Sequence, residues 1–158
     1  MKLNNIFLIL VLTILSACGG AGGESTTVAP TVPDNGVITY TKHLPPAPNT
    51  NQTQTTVTPG TNTINIATSF GNFEINQIGL SPSVNISYSS NTVDIVMNQN
   101  ITSLDITGNN NTVILRAKTS ITTTLSVGGT GNVVWIPRSM TLPNISKAAD
   151  NGIFSYQD

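Results

Sequence analysis

Two acidic side chains, Glu74 and Asp94, hold matching positions in neighbouring copies of a short sequence repeat, in a part of the chain that is otherwise poor in charge. A pair of carboxylates could work as a general acid and base, or could bind Ca²⁺ through its oxygens. Either chemistry needs further partners, and no third oxygen-rich group stands at a matching position. The alternative interpretation is a solvated acidic face, so the pair alone predicts neither a catalytic site nor a metal site.

The single histidine, His43, is equally isolated. It has no Asp, Glu or Cys nearby and precedes Leu44-Pro45-Pro46, which favours a solvated residue over a ligand or a base. The chain also shows no Ser/His/Asp set, no metal-ligand spacing and no phosphate-binding glycine loop. We therefore expect a protein that is not an enzyme, with no catalytic residues, no metal and no cofactor.

Cys18 stands directly after an apolar segment near the start of the chain. It is the only cysteine, which excludes a disulfide framework and a cysteine-based metal site. It follows Leu15-Ser16-Ala17 and the almost wholly apolar residues 6–15, a run too short to span a bilayer but typical of a signal peptide. We predict that residues 1–17 are a signal peptide, which is removed.

The Leu-Ser-Ala-Cys motif resembles the lipobox of bacterial lipoproteins. That resemblance implies acyl chains such as palmitate on Cys18 and a membrane as the partner of the mature chain. Each buried methylene contributes about 0.8 kcal/mol, so several acyl chains on one residue would anchor it stably. Gly19 rather than Asp follows the cysteine, which by the sorting rules of enteric-like bacteria implies the outer membrane of the cell envelope. An ordinary signal peptide with a coincidental cysteine is the alternative.

Residues 18–60 differ in composition from the rest of the chain and are predicted to be a flexible linker. They are rich in Gly, Pro, Thr and Asn and low in hydrophobicity, which favours an extended, largely disordered segment. Residues 36–41 are an exception, because Gly-Val-Ile-Thr-Tyr-Thr could form a lone strand. That strand either pairs with the first coil of the following domain or stays loose.

Downstream of the linker the sequence repeats itself with a short and almost constant period. Residues 104–115 and 125–136 share the template hydrophobe-x-hydrophobe-x-Gly-x-x-Asn-x-Val-x-hydrophobe, with copies at 84–95 and, more faintly, at 64–75. Each copy holds two short alternating strands separated by turn residues, and so small a unit must stack on its neighbours to bury an apolar face. The pattern predicts an all-β fold, a small parallel β-solenoid of about four coils.

We place the solenoid at residues 61–142 and a C-terminal cap at residues 143–158. A short helical turn is expected within the cap, with Ser146 as N-cap and Gly152 as its end. The repeated Gly-x-x-Asn-Thr-Val wording of residues 108–113 resembles a bacterial family of secreted proteins, domain-of-unknown-function family 3060. The likeness covers about residues 60–142, with Tyr88 where the family has Gly. The family has no established activity, so this resemblance implies a shape and no mechanism.

Asn91, Asn111 and Asn132 occupy the same place in successive copies. Stacked in register, such side chains can form a hydrogen-bonded ladder, and Asn also tolerates the left-handed backbone of a tight corner. We predict a structural Asn ladder; the alternative is that each Asn simply marks a turn.

Alternation predicts that Glu74, Asp94, Ile114 and Trp135 form an outward-facing row. Exposed Ile114 and Trp135 would be a contact surface, because aromatic residues are enriched in binding hot spots. The alternative is that the C-terminal segment covers Trp135. Asn65, Asn85, Asp105 and Ser126 should form a second outward row, a polar ribbon.

Charged residues make up 8% of the chain and the formal net charge is −1, so no basic surface exists for a nucleic acid partner. We expect a lipid-anchored, non-catalytic structural or interaction module whose partner is an envelope protein or a glycan. The alternative is a carbohydrate- or cell-wall-binding module that uses the Trp135 face. A small polysaccharide-acting enzyme is a distant third.

Overall fold

The computed structural model describes residues 38–55, 62–76, 81–96, 100–116, 119–140, 142 and 144–158. The predicted signal peptide, Cys18 and residues 19–37 and 56–60 of the predicted linker lie outside these ranges. Within them the regular elements are twelve β-strands: β1 (Thr39–Tyr40), β2 (Thr53–Thr55), β3 (Thr63–Ile66), β4 (Asn72–Ile75), β5 (Ser83–Ile86), β6 (Thr92–Ile95), β7 (Ile101–Ile106), β8 (Thr112–Leu115), β9 (Ile121–Val127), β10 (Val133–Pro137), β11 (Ile145–Lys147) and β12 (Gly152–Tyr156).

The strands form two parallel sheets, which confirms the predicted all-β solenoid. Sheet A has the order β1-β12-β10-β8-β6-β4-β2, and sheet B has the order β11-β9-β7-β5-β3. One coil contributes one strand to each sheet, so β3 to β10 make the four coils that the repeats predict. The last of these coils is slightly longer than its neighbours, and the extra length is accommodated as a register shift between β7 and β9, after the pair Ile101 and Ile121.

The C-terminal segment corrects a prediction. Residues 144–158 do not form the expected helical turn; β11 and β12 instead add a fifth pair of strands that covers the fourth coil. Ser146 lies within β11 opposite Ser126, and Gly152 begins β12 opposite Val133. The alternation in Ile153-Phe-Ser-Tyr156 was sufficient for a strand, and backbone pairing to the preceding coil outweighs the weak helix signal between Ser146 and Gly152.

The core is a column of aliphatic side chains between the two sheets. Alternation in each strand sends every second residue inward, and stacking in register places like residue on like. Sheet B contributes buried Ile64, Val84, Leu104 and Leu125, which are register partners along the stack. Sheet A contributes a matching row of Val93, Val113, Val134 and Ile153.

The predicted Asn positions are joined from coil to coil by side-chain-to-backbone hydrogen bonds. The Asn111 Oδ1 accepts from the backbone N–H of Asn91 at 2.9 Å, and the Asn132 Oδ1 accepts from that of Asn111 at 2.8 Å. Each Nδ2 also donates to a carbonyl of the preceding coil, as Asn111 does to Tyr88 at 2.9 Å. The ladder therefore binds side chains mainly to backbone; one direct amide–amide bond, from Asn111 Nδ2 to Asn132 Oδ1, measures 3.1 Å.

Asn151 belongs to the same ladder, although its position in the predicted helical turn concealed it. Its Oδ1 accepts from the N–H of Asn132 at 2.8 Å, and its Nδ2 donates to the carbonyl of Val127. At the other end Gly71 has no side chain, and its N–H donates to the Asn91 Oδ1 at 2.9 Å.

The left-handed corner residue is the one before the ladder position, not the ladder Asn itself. Positive φ angles of 60°, 60°, 55° and 67° occur at Phe70, Ser90, Asn110 and Gly131. Asn and Gly suit this conformation, whereas a bulky side chain does not. The tolerance of Asn for a left-handed backbone therefore matters at Asn110 and not at the ladder positions.

A second ladder runs beside the first in the opposite direction. The N–H of Ser89 donates to Ser69 Oγ at 3.3 Å, and the N–H of Asn109 donates to Ser89 Oγ at 3.0 Å. The N–H of Thr130 then donates to Asn109 Oδ1 at 2.9 Å. In this ladder each side chain accepts from the following coil, whereas each ladder Asn accepts from the preceding one, so the corner is bound in both directions.

The described part of the predicted linker is ordered against the solenoid. β1 pairs with β12 at one edge of sheet A, and β2 pairs with β4 at the other. Six strand spacings separate these edges, about 29 Å, a distance that residues 41–52 can span because an extended chain covers at most about 3.5 Å per residue. We call residues 41–52 the strap. The composition of the strap predicted disorder because the strap has little apolar surface of its own.

We expect Asn111→Ala to destabilise the fold strongly. The change leaves the buried N–H of Asn91 and the carbonyl of Tyr88 without this side chain, at about 1–3 kcal/mol for each unsatisfied group. Urea unfolding followed by circular dichroism measures the loss.

Asn110→Gly is the matched control for the ladder, because Asn110 is exposed and its φ of 55° suits glycine. Its unfolding free energy should stay within about 0.5 kcal/mol of the wild type. Equal stability of the Asn111→Ala and Asn110→Gly variants would contradict a stabilising role for the ladder.

Candidate functional site

The outward row of sheet A is where the sequence predicted a contact surface. Register aligns Glu74, Asp94, Ile114, Trp135 and Phe154 across five strands. Ile114 is 0% exposed and Asp94 is 1% exposed, so the expectation of an accessible Ile114 was wrong. The physical reason is the strap, which crosses this face and shields the middle of the row from solvent.

An ion pair fastens the strap to the sheet. Arg116 Nη2 lies 2.6 Å from Asp94 Oδ1, and Arg116 Nε donates to the same oxygen at 2.8 Å. Arg116 Nη2 also donates to the carbonyl of Pro46 at 2.8 Å, while Gln52 Nε2 donates to Asp94 Oδ2. Two strap residues therefore bind the two charged groups, which satisfies a carboxylate that would otherwise be buried without partners.

Sequence reasoning missed Arg116, although a signal for it exists. Arg116 lies one coil and two further positions after Asp94, so alternation puts both side chains on the same outward face. The contacts of Pro46 and Gln52 had no such signal, because the strap lies outside the repeat.

Glu74 and Asp94 are the two carboxylates that the sequence offered for acid–base or Ca²⁺ chemistry. Asp94 holds the strap through Arg116 and Gln52, so its oxygens are engaged in structural contacts. Among the described residues no group of three or more His, Cys, Asp or Glu side chains is arranged to hold a metal ion.

Trp135 is half-buried and stacks on Phe154 of the C-terminal strand. Their ring centroids are 5.2 Å apart at an interplanar angle of 30°. The C-terminal segment therefore covers part of the indole, as one of the two sequence interpretations expected. Next to this pair, the Arg138 guanidinium lies 5.4 Å from the ring centroid of Tyr40, a cation–π contact that joins β1 to the last coils.

Tyr156 closes the same face at the C-terminal end. Its hydroxyl donates to the carbonyl of Leu115 at 2.8 Å, and the residue is 5% exposed. Burial raises the pKa of Tyr156 to about 12, and the nearby positive charge of Arg116 partly opposes that rise. The phenol is therefore a neutral hydrogen-bond donor at physiological pH.

Sheet B presents the polar ribbon that alternation predicted. Asn65, Asn85, Asp105 and Ser126 are register partners and are each exposed or half-buried. Asn85 Nδ2 donates to Asn65 Oδ1 at 3.1 Å, so adjacent members are joined to one another.

The largest exposed aromatic surfaces among the described residues lie elsewhere, at the corner between the sheets. Phe70 is 83% exposed and Tyr88 is 50% exposed, in the first and second coils. The sequence singled out Tyr88 only as a departure from the family motif, and it did not single out Phe70. Neither was proposed as a contact residue.

A scan against protein-family models found no match for the chain, and searches of curated proteins and of solved structures likewise found none. The resemblance to domain-of-unknown-function family 3060 therefore stays a prediction. In the described ranges no helix is long and apolar enough to cross a membrane.

We expect Arg116→Met to loosen the strap and destabilise the protein. Asp94 would stay buried without its cation, and removing one partner of a buried pair costs about 3–5 kcal/mol; the partial exposure of Arg116, 18%, puts the expected loss at the lower end. Urea unfolding measures the loss, and the rate of tryptic cleavage after exposed Lys42 reports release of the strap.

The double variant Asp94→Asn/Arg116→Met is the matched control, since it leaves no buried charge unpaired. It should regain part of the lost stability. If Arg116→Met alone neither lowers stability nor speeds cleavage after Lys42, the ion pair does not hold the strap.

Proposed function

We propose that the protein is a membrane-anchored bacterial lipoprotein whose solenoid is a non-catalytic structural or interaction module of the cell envelope. The observation that carries the proposal is the Leu-Ser-Ala-Cys18 motif directly after an apolar segment of signal-peptide length. Acylation of Cys18 would attach the chain to a bilayer, and Gly19 favours the outer membrane.

The position of β1 decides at which end of the solenoid such an anchor is attached. β1 lies at the edge of sheet A formed by the fifth coil, so the chain reaches the solenoid at its C-terminal end. Residues 19–37 separate Cys18 from the first described residue, and a chain of that length spans at most about 65 Å. The tether is therefore attached at the fifth coil, and the first coil is the one farthest along the stack from that attachment.

The architecture suits a rigid platform more than a catalyst. Stacked coils hold side chains at fixed spacing, but the acids that could have done chemistry, Glu74 and Asp94, are part of a row in which Asp94 is bound to Arg116. Fold class alone licenses no activity. We therefore propose presentation of a surface, to an envelope protein or a glycan, as the role of the domain.

Cys18→Ser should abolish acylation and release the protein from the membrane. The serine hydroxyl is a far weaker nucleophile than the thiol, so no diacylglyceryl group is transferred. Labelling of growing bacteria with an alkyne analogue of palmitate, followed by fractionation of the envelope, measures both effects.

Ser16→Ala is the matched control, because it keeps a small residue two positions before the cysteine. This variant should stay labelled and stay in the membrane fraction. Retention of the Cys18→Ser variant in the membrane fraction would overturn the lipid anchor.

A second candidate function is binding of carbohydrate at the Trp135 face. The half-buried indole and its stacking on Phe154 favour it, because a rigid aromatic surface can receive the apolar face of a sugar ring. Trp135 is the only tryptophan, so intrinsic fluorescence reports on this position alone.

If this face binds glycan, soluble peptidoglycan fragments should change the Trp135 emission in a saturable manner. Polyethylene glycol at equal mass concentration is the control for non-specific effects and should change nothing. Unchanged emission at glycan concentrations that saturate binding would exclude the Trp135 face.

A further inference from the structure

We infer that Phe70 and Tyr88 form a stacking platform for a neutral glycan at the end of the solenoid farthest from the fifth coil. The inference deepens the proposed function by naming a ligand class and a site, and the membrane orientation of that site rests on the lipid anchor.

Phe70 occupies a conformation that its side chain opposes. Its φ is 60°, and the same corner in the next three coils holds Ser90, Asn110 and Gly131. A left-handed backbone is unusual for a bulky residue, and such strain is concentrated at functional sites. The corner does not require an aromatic side chain, since three other coils form it without one.

The exposure of the two rings is a second reason to assign them a role in binding. Phe70 is 83% exposed, so burial of its ring contributes little to folding, and Tyr88, at 50%, keeps half of its surface accessible to a ligand. Tyr88 occupies the position that Thr68 holds in the preceding coil and Gly108 in the following one. Both aromatic rings therefore depart from what the repeat needs, on adjacent coils of one corner.

The backbone beneath the two rings is held rigidly. The N–H of Phe70 donates to the carbonyl of Ser89 at 3.1 Å, which ties it beside Tyr88. The carbonyl of Tyr88 accepts from Asn111 Nδ2 at 2.9 Å. A Cβ on Gly108 would come within 1.9 Å of that carbonyl oxygen, so the next coil packs directly against it. Rigid presentation lowers the entropy cost of binding.

The surroundings select the chemistry of the ligand. Residues 62–73 and 81–93, which carry the platform, contain no charged residue, so no group there favours a phosphate, a nucleic acid or an ionic headgroup. The neighbouring side chains Thr68, Ser69, Ser87 and Ser89 supply hydroxyl groups. Aromatic faces flanked by neutral hydroxyls match a sugar ring, which has an apolar face and a rim of hydroxyl groups.

A glycan fits this surface better than a protein or a bilayer. A stable protein interface buries about 800 Å² per partner around an apolar core, whereas only two large apolar side chains are exposed in the described part of this corner. Four strand spacings, about 19 Å, separate the first coil from the fifth, so the platform lies at the end of the stack opposite the coil to which the proposed anchor is attached.

The test is co-sedimentation of the purified full chain, in detergent, with insoluble peptidoglycan sacculi and with microcrystalline cellulose. Phe70→Asn and Tyr88→Thr each install a residue that the same corner carries in another coil, so both variants should fold, and Phe70→Asn should relieve strain. We expect wild-type binding to at least one of the two polymers, a loss of affinity of at least tenfold in each variant, and no measurable binding by the double variant.

Leu44→Asn is the matched control, because Leu44 is an equally prominent exposed residue, 73%, on the strap instead of the corner. Its affinity should equal that of the wild type.

Absence of wild-type binding to either polymer would overturn the inference, and so would unchanged binding by Phe70→Asn. A loss caused by Trp135→Leu and not by Phe70→Asn would move the glycan site to the Trp135 face. Acylation of Cys18 is measured separately, so the lipid anchor stands or fails on its own result.

Discussion

Register between successive coils is the constraint on which the structure depends. Parallel strands at a spacing of about 4.8 Å put each residue over its counterpart in the next coil, and a slip by a single position would send every inward side chain outward. Asn111 and its ladder partners oppose such a slip, because each Oδ1 binds one particular N–H of the preceding coil. The second ladder, through Ser89 and Asn109, binds the following coil in the same way.

The strap and its two flanking strands cover the outward face and the two edges of sheet A. A long parallel sheet with an apolar outer row would be an aggregation hazard. β1 and β2 occupy its two edges, and between them the strap shields Asp94 and Ile114. The ion pair of Asp94 with Arg116 gives this cover a specific attachment, since a chain rich in proline and polar residues has little apolar surface with which to hold itself in place.

These two devices also decide where a partner can bind. Sheet A is occupied in its centre and keeps only the stacked pair of Trp135 and Phe154 half-exposed near one end. Sheet B presents hydrogen-bonding groups without apolar anchors. Phe70 is strained and exposed, with Tyr88 beside it, and the fold itself does not explain why aromatic residues occupy these positions. A molecule tethered through its first residues would carry that corner at the opposite end from its tether.

The sequence by itself determined the solenoid, because each coil contacts chiefly the coil before it and the coil after it, and such neighbour contacts leave a period that can be read directly. The ladder positions Asn91, Asn111 and Asn132 were visible for the same reason, and Asn151 was lost because its coil deviates from the template. Only the tertiary structure decided that Ile114 is buried and Asp94 is paired. The contact of Pro46 with Arg116 joins residues 70 positions apart, and a contact made once leaves no period in the sequence.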